Sequence, residues 1–433
     1  MEHNSDREQL VWANYGFLGD PFDTRALSLF TYSRLSVNNA YVPRSKNGRL
    51  SPSQKLNQFL RSEGGGCVLV EGEIGVGKTS LVNHHRYEWR KKSQSLFTPI
   101  SEISAEKDWT KRQFLIDLLN SLARTFVTTW TDQEIEKNQL LMEVIVTTGA
   151  YFTSKSGKTW GLTVASTGVQ RGTSTSTTIH KGEISNTQLL DYIRRVVEMC
   201  KEKGHRGVIF HLDNLEILLD DSVTRCRSFL DDIRDILQLQ DTYFILVARS
   251  GFFQKVVSPL PRVRSIFHSH PIHILPFSEQ EVIGILNRRY EVLSHRLRNY
   301  IKPVEDELVA RLHKLHGGQI RSVMNDIKAL ILEFSSPNRV ETLVTGQAWE
   351  SLESLVEEKL GVLTPSENTF LRKLPQGSFS NKDLVESTGK TKQHVNKILK
   401  KLREFNFIQP SEDPDEQHCY ELAPEFRILC GGE

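Results

Sequence analysis

Eight residues near the start of the chain constrain its fold more than any others. They read Gly72-Glu73-Ile74-Gly75-Val76-Gly77-Lys78-Thr79 and follow a short apolar run over residues 67–70. Glycines allow a backbone to wrap around an anion with its N–H groups pointing inward, where side chains would block them. A lysine and a hydroxyl residue at the end of such a loop suit phosphates and a divalent cation. The pattern therefore predicts a phosphate-binding loop between a buried strand and a helix that begins near Lys78.

We expect this loop to bind ATP together with Mg²⁺. The Lys78 ammonium would contact the β- and γ-phosphates, and the Thr79 hydroxyl would ligate the metal ion. The helix adds the partial positive charge of its N-terminus, which favours phosphate. The residues predicted to form the phosphate site are Gly72, Glu73, Ile74, Gly75, Val76, Gly77, Lys78, Thr79 and Ser80.

An acid at the end of a neighbouring strand is expected to complete the metal site. The apolar run over residues 208–212 ends in Asp213, whose carboxylate can hold the Mg²⁺ shell. The next residue is Asn214, and the nearest carboxylate beyond it is that of Glu216. Glu216 would reach the attacking water if a helical turn begins there; the alternative is that it only caps or solvates the following helix. In the second case we expect slow hydrolysis and a nucleotide-dependent switch.

Composition limits the classes of protein to which the chain can belong. A chain of 433 residues is too long for one ordinary core, so two or three domains are expected. Its content of 38% hydrophobic and 25% charged residues is usual for globular proteins. Five cysteines without a CxxC pair argue against a zinc site or a disulfide framework. No apolar run reaches the roughly 18 residues of a membrane span, so we expect a cytoplasmic protein. With a net charge of only +2, any nucleic-acid surface must be local.

From residue 50 onward, apolar runs alternate with amphipathic stretches, which predicts an α/β fold with a doubly wound, mostly parallel sheet. The predicted strands cover residues 67–70, 96–103, 207–212, 243–248 and 272–275. We assign residues 1–50 to an N-terminal arm, 51–275 to the nucleotide-binding core, 276–345 to an all-helical lid, and 346–433 to a linker and a C-terminal domain.

Residues 147–184 form an insert of different composition within the core. They are rich in Thr, Ser and Gly, and no acidic residue occurs between Glu143 and Glu183. Alternation of polar and apolar residues favours a β-hairpin that turns near residues 166–168. Two interpretations stay open: a hairpin that contacts DNA or a neighbouring subunit, and a flexible surface insertion.

Residues 363–423 have the pattern of a winged helix-turn-helix. Helices are predicted over residues 365–373, 381–387 and 391–405, with strands at 407–409 and 420–422. The third helix has an apolar stripe and an opposite, polar face that suits base edges and phosphates in a major groove. The residues predicted to contact DNA are Lys392, Gln393, Asn396, Lys397 and Lys400. The alternative is a solvated helix in a domain that makes protein contacts.

Taken in order, these motifs resemble the AAA+ ATPases of the replication-initiator and DNA-transposition-regulator type over residues 40–335. The resemblance implies that Tyr41 and Val42 lie over the adenine base, although Pro43 replaces a glycine that is usual there. The alternative is that they clamp the arm to the core. Many members place the catalytic glutamate directly after the metal-binding aspartate, and that position is Asn214 here.

The same resemblance gives roles to several arginines. Residues 261–267 occupy the place of the arginine finger, so Arg262 or Arg264 would reach the ATP of a neighbouring subunit. Arg249 or Ser250 would be the sensor-1 residue, and the Gly317–Arg321 passage resembles the sensor-2 motif, which puts Arg321 on the γ-phosphate. Each arginine could instead be an ordinary surface residue.

We expect an ATPase that assembles into a homo-oligomer with ATP at its subunit interfaces and engages duplex DNA through the winged helix. The alternative is a signalling or defence switch, in which the core holds or releases an effector protein and the winged helix mediates protein contacts. A transcriptional regulator without a switch would leave the lid and the finger unexplained.

Overall fold

The computed structural model describes residues 11–29, 33–44, 50–148, 152–153, 159–160, 184–219, 222–295, 299–334, 340–375, 377–411 and 419–429. It divides into two compact units. One spans Ala26–Leu275, and the other combines Met1–Arg25 with Pro276–Glu433. Each unit has its own apolar cores.

A parallel sheet forms the centre of the Ala26–Leu275 unit. Its strands are β1 (Gly65–Gly72), β2 (Leu96–Phe97), β3 (Ile103–Ser104), β6 (Gly207–Asp213), β7 (Thr242–Ala248) and β8 (Ile272–Ile274); β4 and β5 belong to the insert. The order across the sheet is β2-β6-β7-β1-β8, with β3 also beside β6. Every pairing in this sheet is parallel, which agrees with the predicted fold class.

Alternate residues of the central strands enter two separate apolar cores. In β1, Cys67 and Leu69 belong to one core, whereas Val68 and Val70 belong to the other. Strands β6 and β7 are buried along their whole length. Helices therefore cover both faces of the sheet, and the prediction of a doubly wound α/β fold is confirmed.

The helices of this unit begin where the sequence supplies caps. The helix Pro52–Arg61 starts with a capping box in which Ser51 and Gln54 satisfy each other's backbone amides. The described α-helices are Val37–Ala40, Pro52–Arg61, Lys78–Arg90, Lys111–Thr129, Asp132–Glu136, Gln139–Thr148, Asn186–Glu202, Val223–Ile233 and Pro261–Arg264, with a 3₁₀ helix at Leu215–Leu219 and a π-helix at Phe253–Val257.

The predicted strand over residues 96–103 is wrong in its middle. Only its two ends, Leu96–Phe97 and Ile103–Ser104, pair with β6. Pro99 has no amide to give to a ladder, and the carbonyls of Pro99 and Ser101 accept hydrogen bonds from the Arg86 guanidinium. A buried side chain has thus replaced the neighbouring strand as the hydrogen-bond partner.

The insert contributes one short antiparallel pairing to the described residues. Strand β4 (Phe152–Thr153) pairs with β5 (Thr159–Trp160), with Phe152 opposite Trp160. The turn predicted near residues 166–168 lies outside the described residues.

A helical region follows the core, as predicted. Its helices are Glu279–Leu293, Asp306–Leu315 and Ile320–Phe334. The arm segment packs on them through Phe17 and Phe22, whose rings contact Tyr290 at centroid distances of 5.5 and 5.9 Å. The buried Arg289 adds hydrogen bonds to the carbonyls of Pro21 and Asp23.

The C-terminal residues form a compact group of helices with a small sheet. Its helices are Thr345–Lys359, Pro365–Leu371, Asn381–Thr388 and Lys392–Glu404, and its strands are β9 (Phe379–Ser380), β10 (Ile408–Pro410) and β11 (Cys419–Leu422). The sheet is antiparallel in the order β10-β11-β9. The predicted apolar stripe of Val395, Ile398, Leu399 and Leu402 is buried in its core. Among the helices that the structure describes, none is long and apolar enough to cross a membrane.

Candidate nucleotide-binding site

The loop after β1 has the geometry that its glycines predict. Gly75 and Gly77 adopt left-handed backbone conformations, with φ of 79° and 82°, which residues with a Cβ rarely adopt. A Cβ on Gly72 would lie 2.6 Å from the carbonyl oxygen of Ile274. Gly77 is also the N-cap of the helix Lys78–Arg90. Conformation and packing both require glycine here, and the helix N-terminus opens onto the loop.

Lys78 is held inside this loop. Its side chain is buried, and Nζ donates hydrogen bonds to the carbonyl oxygens of Gly72 at 2.7 Å and Glu73 at 2.9 Å. These bonds keep the ammonium at the centre of the loop. A bound polyphosphate would meet a positive charge already in position.

The fold brings Thr79 and Asp213 together although they are far apart in the sequence. The Thr79 hydroxyl donates to Asp213 Oδ2 at 2.8 Å, and the Asn214 amide donates to Oδ1 at 3.0 Å. Burial raises the pKa of the Asp213 carboxyl, the charges of Glu102 and Glu216 raise it further, and these hydrogen bonds oppose the rise. A buried carboxylate under negative potential gains from a cation.

The oxygen pair of Thr79 and Asp213 fits Mg²⁺, which prefers hard oxygen ligands and retains waters and phosphate oxygens. Within the described ranges, no group of three or more His, Cys, Asp and Glu side chains could hold a metal ion. Mg²⁺ at this point would therefore share its shell with nucleotide and water, as in other phosphate-loop sites.

The residues after Asp213 form a tight turn. Asn214 has a left-handed φ of 59°, and its side-chain amide donates a hydrogen bond to Ser104 Oγ at 3.1 Å. The 3₁₀ helix Leu215–Leu219 begins directly afterwards. Glu216 lies within it, and its Oε2 is buried without a hydrogen-bond partner among the described residues. This 3₁₀ helix supplies the helical turn that a contact of Glu216 with the attacking water would need.

Sequence reasoning missed Arg86, which connects the helix that carries Thr79 with the strand that ends in Asp213. Its guanidinium is fully buried and donates to Asn83 Oδ1 at 2.7 Å and Thr98 Oγ1 at 2.8 Å. Nη1 lies 3.3 Å from Nδ1 of His211, two residues before Asp213. Burial lowers the pKa of Arg86 to about 10. The signal was the position of an arginine on the apolar face of an amphipathic helix.

The segment before the core packs on the phosphate-loop helix. The Tyr41 ring stacks on the His84 imidazole with a centroid distance of 3.9 Å. The Ser80 hydroxyl accepts a hydrogen bond from the Leu27 amide at 3.1 Å. Val42 follows Tyr41 and is half-buried. Contact of Tyr41 and Val42 with adenine stays a prediction, and the structure assigns Ser80 a bond to the arm.

The arginines of the core lie at different depths. Arg249 directly follows β7, and its Nε is 3.6 Å from Oε2 of the loop residue Glu73. Arg262 and Arg264 are exposed on the short helix Pro261–Arg264. The structure thus brings Arg249 to the phosphate loop. A role of Arg262 or Arg264 as an arginine finger stays a prediction.

Arg321 belongs to the other unit. It is exposed in the first turn of the helix Ile320–Phe334, after Gly317 and Gly318, which have φ of 56° and 81°. A Cβ on Gly318 would approach the Phe277 carbonyl oxygen to 2.8 Å. The glycine break and the amphipathic helix are as expected, and the γ-phosphate contact stays a prediction.

The predicted DNA-contacting residues share one exposed face of the helix Lys392–Glu404. Lys392, Gln393, Asn396, Lys397 and Lys400 are all exposed. The Asn396 side chain already accepts a hydrogen bond from the Asn381 amide, so it is less free than the lysines. The neighbouring Lys401 donates to Glu367 at 2.6 Å, and this bond helps to lower the pKa of Glu367 to about 2.

Comparisons with known proteins bear on this site. A family model described as the KAP family P-loop domain matches residues 52–250, a little under half of the chain. Together with the parallel sheet and the loop after β1, it shows a P-loop NTPase fold. No curated protein matches the sequence.

Solved structures with some similarity cover nearly the whole chain at low identity. The Aeropyrum pernix ORC1 protein in complex with DNA has a TM-score of 0.45 and 16% identity, covering 92% of this chain and 96% of that chain. The Aeropyrum pernix ORC2 protein in ADPNP-ADP complexes has a TM-score of 0.46 and 14% identity, with 91% and 96% covered. Cdc6p from Pyrobaculum aerophilum has a TM-score of 0.42 and 13% identity, with 91% and 97% covered.

The environment of Asp213 predicts an unusual effect of its neutralisation. Because its pKa is raised in the folded chain, its negative charge destabilises the ligand-free protein above that pKa, and protonation relieves the cost at lower pH. We expect Asp213→Asn to raise the thermal unfolding temperature without nucleotide at mildly alkaline pH, with a gain that shrinks as pH falls. It should also remove the stabilisation by ATP with Mg²⁺. Differential scanning calorimetry over a pH series measures both effects.

A matched variant controls for the loss of one negative charge. Asp232→Asn changes an exposed aspartate and should leave the unfolding temperature nearly unchanged. A ligand-free Asp213→Asn protein that unfolds below the native chain across the pH series would contradict the account of this carboxylate.

Proposed function

We propose that this protein is an ATP-dependent AAA+ ATPase that acts as a switch and engages duplex DNA through a C-terminal winged helix-turn-helix. The observation that carries the proposal is the hydrogen bond from Thr79 to Asp213 beside the loop that encloses Lys78. It joins the phosphate loop to the end of β6 and collects in one place the groups that Mg²⁺ and a triphosphate need.

ATP would bind with its phosphates along residues 72–80. The backbone amides and the Lys78 ammonium would contact phosphate oxygens, while Thr79 and Asp213 would hold Mg²⁺. Mg²⁺ held by these two residues would supply positive charge that offsets the negative charge of the phosphates during transfer. The raised pKa of Asp213 supports this role, because the metal ion would offset the charge that burial disfavours.

Hydrolysis would use Glu216 to orient the attacking water. The buried Oε2 of Glu216 has no hydrogen-bond partner among the described residues, and the charge of Glu216 reaches Asp213 strongly enough to raise its pKa. The residue next to Asp213 is Asn214, whose side-chain amide donates a hydrogen bond to Ser104. An amide cannot accept a proton from water as a carboxylate does. We therefore propose slow ATP hydrolysis, suited to a switch with a long-lived bound state.

The remaining arginines would make the lid and a neighbouring subunit respond to whether ATP is bound. We propose that Arg262 or Arg264, exposed beside the core, reaches the ATP of a neighbouring subunit in a homo-oligomer. Arg321 would contact the γ-phosphate from the lid. Arginines in such positions neutralise charge on the γ-phosphoryl group and make lid position depend on the nucleotide.

Duplex DNA is the proposed partner of the C-terminal domain. The order of its helices and strands, with the antiparallel sheet β10-β11-β9, supports a winged helix. Lys392, Gln393, Lys397 and Lys400 are exposed on one helix face and would contact phosphates and base edges in the major groove.

A switch that controls an effector protein is the second candidate. The Asn381 side-chain amide donates a hydrogen bond to Asn396, which leaves Asn396 less available to contact a base. The sequence between β10 and β11 contains the acidic residues Glu412, Asp413, Asp415 and Glu416. Both features suit a domain for protein contacts. Salt-dependent DNA binding distinguishes the two candidates, since only the first requires it.

Lys78→Ala tests the nucleotide site. Loss of a charged contact to phosphate should weaken ATP binding by about a hundredfold, as measured by titration with a fluorescent ATP analogue. Lys107→Ala, which removes an exposed lysine, should bind like the native chain. Unchanged ATP affinity in Lys78→Ala would refute the proposed site.

A double charge reversal tests the DNA surface. Lys397→Glu combined with Lys400→Glu should abolish ATP-stimulated duplex binding. In the weak binding that persists at low salt, the slope of log affinity against log salt should fall by about 2, or roughly 0.9 for each lost phosphate contact. Fluorescence anisotropy with a labelled duplex measures both. Lys107→Glu with Lys137→Glu makes the same change in net charge at other exposed positions and should bind DNA normally. Native-like binding by the first variant would favour the effector switch.

A further inference from the structure

The phosphate loop contains a carboxylate that is not needed to hold phosphate. Glu73 follows Gly72, and its Oε2 lies 3.6 Å from Nε of Arg249. Both side chains have access to solvent, with relative exposures of 23% and 40%. A negative side chain beside a polyphosphate site opposes anion binding, so its pairing with an arginine is the feature to explain.

The sheet fixes where this ion pair lies. Strands β1 and β7 are adjacent and parallel, with Glu71 opposite Ala248. Gly72 is the last residue of β1 and Arg249 directly follows β7, so both lie at the carboxyl ends of the strands, where ligands bind in open α/β sheets. Arg249 is therefore at the edge of the loop that would receive phosphates, and Glu73 holds it there.

The strength of the pair makes exchange feasible. An ion pair with this much solvent access contributes at most about 1 kcal/mol. Arginine forms stronger, charge-assisted hydrogen bonds to phosphate, often through two N–H groups at once. A phosphate with more negative charge than the Glu73 carboxylate can therefore displace it. ADP ends at the β-phosphate, which Lys78 and the loop amides already contact, whereas ATP adds a further group beyond it.

We propose that Glu73 competes with the γ-phosphate of ATP for Arg249, and that this competition sets the preference of the site for triphosphate over diphosphate. In the nucleotide-free and ADP-bound forms, Arg249 pairs with Glu73. In the ATP-bound form, Arg249 moves to the γ-phosphate and the Glu73 carboxylate turns to solvent. The inference rests on the proposed binding of ATP in this loop and adds to it a residue that determines specificity.

A double-mutant cycle on the ratio of two dissociation constants tests the competition. The ratio compares ADP with adenosine 5′-(β,γ-imido)triphosphate, each measured calorimetrically with Mg²⁺. Glu73→Gln removes the competing charge and should raise the preference for triphosphate about threefold, within the range of an exposed ion pair. Arg249→Gln should lower the preference, and adding Glu73→Gln to it should cause no further change. Arg249→Lys should restore part of the preference.

The ratio separates competition from a general electrostatic effect. If Glu73 only repels phosphates, Glu73→Gln should strengthen the binding of both nucleotides equally, or should change the ratio by the same factor with and without Arg249. Either result would overturn the proposal. Glu106→Gln neutralises an exposed acid elsewhere and should leave the ratio unchanged. If the native chain binds neither nucleotide, the proposed function fails as well. Binding of both with a ratio insensitive to Glu73 refutes the competition alone.

Discussion

The hydrogen bond between Thr79 and Asp213 is the interaction on which the site depends. It joins the first turn of the phosphate-loop helix to the end of β6, although β7 lies between β6 and β1 in the sheet. Arg86 stabilises this arrangement, because its buried guanidinium contacts the phosphate-loop helix, the loop after β2 and His211 of β6. The proposed metal-binding pair is thus positioned before any ligand arrives, which would lower the cost of ordering on binding.

The carboxylates around this pair support the proposal of a switch with slow turnover. Burial raises the pKa of the Asp213 carboxyl, and the charges of Glu102 and Glu216 raise it further, so a bound cation would relieve a repulsion between these carboxylates. The residue next to Asp213 is an asparagine in a left-handed conformation, whose amide is bonded to Ser104. Binding of Mg²⁺ and nucleotide is therefore better supported by the geometry than fast chemistry is.

Local patterns in the sequence predicted much of this structure. They could not predict interactions between residues that are far apart in the sequence. The glycines of the loop and the stripe from Val395 to Leu402 each depend on neighbours within a few residues, so periodicity and spacing sufficed. The break in the strand over residues 96–103 depends on Arg86. The Glu73–Arg249 pair and the Asn381–Asn396 bond likewise arise from tertiary packing, which no single segment encodes.

Calorimetric titration of the unmodified chain with ATP, in Mg²⁺ and again in a chelator, tests the central claim most directly. The account predicts saturable binding of one ATP per chain in Mg²⁺. It also predicts binding roughly tenfold or more weaker in the chelator, because the phosphates then lose at least one charge-assisted contact. Absence of binding, or the same affinity in both conditions, would contradict the assignment of Thr79 and Asp213 as the metal-binding pair of a nucleotide site.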